Sequence, residues 1–128
     1  MPFSFIELHG EYIEIRDSRM EELVEYSAKI FPDFIKSRKD SAQLDWLGEA
    51  IGKWQNEMVL PPGCKKIRLT ETLSSSDKRE ILSHFLGFVA AHIKSDEPII
   101  ADRICEECKR ILALISQTRR VGDRRSNL

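Results

Sequence analysis

The chain is expected to be a mainly α, single-domain bundle of about four helices with a short N-terminal β-hairpin. Three observations predict this. Apolar residues recur at helical spacing in four separated stretches. Capping boxes or a first-position proline mark several of their starts. β-formers gather at the N-terminal end, on both sides of a His-Gly pair. A length of 128 residues suits one domain, large enough to fold without a disulfide or metal.

The hairpin is placed at 3–16: Phe3–Leu8 and Tyr12–Arg16 are the strands and His9-Gly10 is the turn. A helix follows over about 18–31. Ser18 and Glu21 form a capping box, and Met20, Leu23, Val24, Ser27, Ala28 and Phe31 share one face. Pro32 ends it, because the residue before a proline is pushed out of the α region. The next helix, about 41–56, has Asp40 and Ser41 as candidate caps and a stripe of Leu44, Leu47, Ile51 and Trp54.

Pro61-Pro62-Gly63 breaks the chain. Lys65–Leu69 alternates apolar with basic residues and is either a short strand or an extended loop. A third helix is expected over about 77–94, started by Asp77 with Glu80. Its face is Ile81, Leu82, Phe85, Phe88, Val89 and His92, so His92 is expected in the core or at an interface. Pro98 opens a last helix to about 117, with Ile100, Ile104, Cys108, Ile111 and Ile115 as its stripe. The domain thus spans 1–117, and 118–128 is expected to be a basic flexible tail.

No basic-then-apolar leader is visible, and the longest apolar run, Phe85 to Ala91, is far short of the ~20 residues that span a bilayer. Three cysteines make an odd number, which argues against a secreted disulfide framework. A cytoplasmic protein is expected. Net charge is −1, but residues 1–64 carry 12 acidic and 7 basic side chains, and residues 65–128 carry 9 and 13. This modest asymmetry falls short of a nucleic-acid footprint.

The motifs that could carry chemistry are few. Cys105-Glu106-Glu107-Cys108 could join Cys64 and a histidine as a Cys3His zinc site, but the pair lies mid-helix rather than in turns. A redox dithiol would also need its first cysteine at a helix N-terminus. Cys108 sits in the apolar stripe and Cys105 at its edge, so Cys108 is expected to be the more buried. No phosphate-binding glycine loop, nucleophile elbow or HExxH sequence is present. Gly48 and Gly52 form a GxxxG step that suits close helix packing. No catalytic residue, metal or cofactor is expected.

The remaining features concern surfaces. Tyr26 points away from its helix's apolar stripe, beside Glu22 and Glu25. Trp46 lies roughly 110° off the next stripe, beside Asp45 and Glu49. Exposed aromatics flanked by carboxylates suit a protein interface, where an aromatic anchors and charge steers. The expectation is a small intracellular protein-binding inhibitor or partner of the bacterial toxin-immunity type, occluding a partner's surface. The alternative is a regulatory nucleic-acid-binding module using the basic half through Lys65, Lys66, Arg68, Arg119 and Arg120.

Overall fold

A computed structural model describes residues 2–39 and 43–126, with side chains up to residue 117. The mainly α class stands, with a sheet larger by one strand than the hairpin. Strand β1 (Phe3–Leu8) pairs antiparallel with β2 (Glu11–Arg16), Leu8 opposite Glu11. Only His9 and Gly10 lie between, and both have positive φ, 49° and 84°. That matches a two-residue turn whose twist suits a hairpin. Lys65–Leu69 resolves into strand β3 (Lys66–Arg68), which adds to the other side of β1 in parallel, so the order is β2-β1-β3.

Helix α1 (Asp17–Ser37) begins one residue before the Ser18 capping box and has no side-chain cap. The Asp17 side chain is drawn instead toward Ser4 and Lys65. The helix also runs through Pro32 rather than ending there. Pro32 is exposed and Phe34, two residues on and so on the opposite side of the helix, is buried among aromatic rings. Phe34 meets Phe85 at 5.0 Å and Phe88 at 5.3 Å between centroids, both edge-on. Such packing offsets the hydrogen bond that proline removes.

Helix α2 (Asp45–Glu57) starts later than expected, with Leu44 at its N-cap; the proposed caps Asp40 and Ser41 lie outside the described residues. A single turn, α3 (Leu69–Thr72), follows β3 directly. Helix α4 (Ser76–Asp96) is capped by Ser75, whose hydroxyl accepts from the Lys78 N–H at 3.2 Å; Asp77 lies inside the helix. Glu97 alone separates α4 from α5 (Pro98–Ser126), which opens on Pro98 as expected. Helix α5 extends nine residues beyond the expected end at Gln117, over part of the stretch read as a tail.

The helices cover one face of the sheet. Ser4, Ile6, Leu8, Ile15 and Ile67 are buried on that side, with α1 and α5 packed against it and α4 packed on those two helices. On the open face Phe3 and Tyr12 are exposed. His92, expected in the core or at an interface, is not in the core but exposed: it stacks on Phe88 and its Nδ1 lies 2.9 Å from the Phe88 carbonyl oxygen. Ile93, the next residue, takes the buried place.

Candidate binding groove

The proposed acidic face does not survive folding as one surface. Tyr26 is 1% exposed, and its hydroxyl donates to the Asp96 carboxylate at 2.8 Å. The helical wheel left Tyr26 outside α1's own stripe, but the end of α4 covers that side. Burial, then the Asp96 hydrogen bond and charge, raise the phenol above its ordinary value. Glu22 is held by Arg103 at 2.9 Å. Glu25 and Asp45 are exposed.

Trp46 and Glu49 belong to a different surface. They line an open groove of about 650 Å³ between α2 and the β3–α3 segment, with the first turn of α4 at its edge. This size is within the range of small binding sites. Along α2 the lining side chains include Trp46, Glu49, Lys53, Trp54 and Glu57. Their spacing of about one or two turns puts them on one helix face. The opposite wall carries Cys64, Lys66, Arg68 and Glu71.

The groove has a firm base. Trp54 and Ile67 line both the groove and a small apolar void of about 30 Å³ that reaches Leu82 and Ile111 in the core. Trp46 is half-buried, with the Lys78 ammonium 5.4 Å from its ring centroid. The Lys66 N–H donates to the Glu57 carboxylate at 3.4 Å, tying β3 to α2. The Lys66 ammonium lies 4.8 Å from the Tyr12 ring centroid, across the open sheet face. Arg68 and Glu71, both exposed, approach at 3.9 Å.

The basic cluster proposed for nucleic acid is also divided. Lys65 is 2% exposed and turns inward, pairing with Asp17 at 2.5 Å and Glu21 at 2.9 Å. Asp17 also accepts from the Ser4 hydroxyl at 2.8 Å and the Gly63 N–H at 3.4 Å. Burial pushes the Asp17 carboxyl up, but these donors outweigh it and hold the group below its ordinary value. The Asp17 hydrogen bond raises the Lys65 amine despite its burial. Lys66 and Arg68 alone of that triplet reach the groove. The side chains of Arg119 and Arg120 lie outside the described residues.

Lys53, Trp54, Glu57, Cys64, Glu71 and Lys78 were missed as groove residues. For α2 a signal existed, since Trp46, Lys53, Trp54 and Glu57 recur at helical spacing. The other wall offered none, because it depends on β3 pairing with a strand sixty residues earlier.

Cys108 is buried, Cys105 half-buried and Cys64 exposed, all as free thiols. Among the described residues no three His, Cys, Asp or Glu side chains gather to hold a metal ion. No described helix is long and apolar enough to cross a membrane. No protein-family model, curated protein or solved structure matches the chain.

Proposed function

We propose that the chain is a protein-binding partner whose working surface is the groove between α2 and β3. The observation that supports this most is the pair Trp46 and Trp54 on one wall, facing Lys66 and Arg68 on the other. Tryptophan and arginine are the side chains most often responsible for interface affinity. Trp54 is anchored in the core, so the aromatic wall is rigid before a partner arrives, and little ordering entropy is lost on binding. The charges on the rim supply orientation and encounter rate more than affinity.

The narrower form of this proposal is an intracellular inhibitor of the toxin-immunity type, in which the partner is a toxin and binding occludes its surface. What supports it is the aromatic wall of the groove with charged side chains on its rim, which suits occlusion of a partner's surface.

Affinity capture from an extract of the source cells, using the full chain and variants, tests the groove. Trp46→Ala and Lys53→Glu should lose a protein that wild type retains. Glu25→Lys, on an exposed part of α1 away from the groove, should keep it. Thermal melts close to wild type must accompany each variant. Capture that survives both groove substitutions, or is lost only with Glu25→Lys, would put the interface elsewhere.

A further inference from the structure

We infer that the groove receives an extended segment of the partner as an added strand on β3, with acidic side chains at alternate positions beside Lys66 and Arg68. This rests on the protein-binding role proposed above and specifies the partner's form.

Among the described residues, strand β3 is an edge of the sheet, with β1 on one side. Phe5 is in register with Lys66, and its N–H donates to the Lys65 carbonyl at 3.2 Å. In a parallel ladder a residue bonds to the two neighbours of its register partner, so Lys65 and Ile67 direct their main-chain groups to β1. Lys66 and Arg68 therefore direct theirs away from β1. The Lys66 N–H follows this geometry, since it meets the Glu57 carboxylate of α2. Glu57 thus occupies the position of a neighbouring strand's carbonyl at one rung. The following main-chain groups, the Lys66 carbonyl and the Arg68 N–H, face the same way.

Unpaired strand edges are templates for another chain, and proteins commonly guard them with short strands and charged side chains. β3 has both features. Its edge borders the groove and meets α2 at Glu57, and an extended peptide can add to a sheet edge beside a helix.

Side-chain alternation sets the chemistry. In an added strand, every second side chain shares the face of Lys66 and Arg68, where two cations favour carboxylates in cross-strand pairs. The intervening side chains turn toward Ile67 and the tryptophans of α2, which favour apolar groups. An acidic–apolar alternation over about four residues, roughly 13 Å of strand, is the complementary segment.

The probe is a displayed library of linear peptides, panned against the full chain; the selected peptide is then synthesised and titrated into the 15N-labelled protein. Selected sequences should alternate acidic with apolar residues. Binding should shift the Lys66 and Arg68 amide resonances and slow the exchange of the Arg68 amide. N-methylation should weaken binding about tenfold at one alternate set of peptide positions and little at the other, as expected for loss of main-chain hydrogen bonds. Arg68→Glu should weaken the acidic peptide and leave the melting temperature unchanged. A library yielding no peptide that perturbs those amides overturns the proposal, as does N-methylation insensitive to position. If partner capture still depends on Trp46 and Lys53 in that case, the groove remains the interface and only the added strand is wrong. If capture ignores those residues, the protein-binding reading of the groove fails on its own evidence.

Discussion

Lys65 carries its charge into the interior and is held there by Asp17 and Glu21. The ammonium links the start of β3 to the first two turns of α1, and Asp17 extends the network to Ser4 on β1 and to the Gly63 main chain. Removing one member of a buried ion pair leaves the other unpaired, so Lys65→Ala should cost roughly 3–5 kcal/mol by chemical denaturation. Asp17→Asn should be milder, because Glu21 still pairs the amine. The same network fixes a pH dependence. The Asp17 carboxyl is lowered by folding, so its contribution is present above the unfolded value, about 3.9, and is lost as pH falls through the lower folded value. Lys65 is raised by folding, so its contribution holds below about pH 10.4 and is lost as pH rises past the folded value. The difference in melting temperature between wild type and Asp17→Asn should therefore be steady near neutrality and shrink in acid below about pH 4. A difference that persists unchanged into strong acid would mean that Asp17 does not act through its charge.

At the level of elements, the closeness of α1 and α2 depends on one glycine of the GxxxG step. A Cβ at Gly48 would stand 3.0 Å from the Phe31 ring, whereas a Cβ at Gly52 would meet nothing within 4 Å. Both positions are helical, where alanine is preferred over glycine by about 0.5–1 kcal/mol. Gly52→Ala should therefore raise stability by about that amount. Gly48→Ala should gain less or lose, because the Phe31 ring must shift within packed surroundings. Denaturant midpoints of the two variants check the ordering, and equal stabilisation would show that the helices are not in close contact there. Another element-scale link joins α5 to the rest of the fold. Glu107 is buried between Arg19 of α1 at 3.4 Å and Arg110 at 2.8 Å, and Arg110 donates to the Glu14 carbonyl of β2 at 2.6 Å.

For the molecule as a whole, the three free thiols sample three depths of one core. Cys64 is exposed at the groove, Cys105 is half-buried with its sulfur 3.5 Å from the Ala90 carbonyl, and Cys108, on α5, is buried in the core. Burial pushes the Cys108 thiol up to about 12, so the reactive thiolate is scarce at neutral pH. With a maleimide at neutral pH, Cys64 should react first. Cys108 should react only through unfolding, with a rate that rises with denaturant as global stability falls. Mass spectrometry of each peptide against time separates the sites. If Cys108 reacts as fast as Cys64 in native buffer, the core opens locally around α5 and the single-core description fails.

The sequence by itself determined the local elements. Alternation around His9-Gly10 gave the hairpin, because a two-residue loop with positive φ values leaves little freedom of register. Apolar residues three and four apart gave the helix faces, as Ile104, Cys108, Ile111 and Ile115 illustrate, because each helix repeats every 3.6 residues wherever it lies. What only the tertiary structure decided was what covers the remaining sides. Tyr26 lies off its own stripe yet is buried, since α4 brings Asp96 to it from seventy residues away. Lys65 stands in a basic run yet is buried, since Asp17 and Glu21 lie where β3 begins. His92 follows the periodicity of α4 yet is exposed. The groove itself joins α2 to a strand whose sheet partner, β1, is far away in sequence. A helical wheel describes one helix against one neighbour, whereas burial depends on all neighbours at once, and those are chosen by packing across the whole chain.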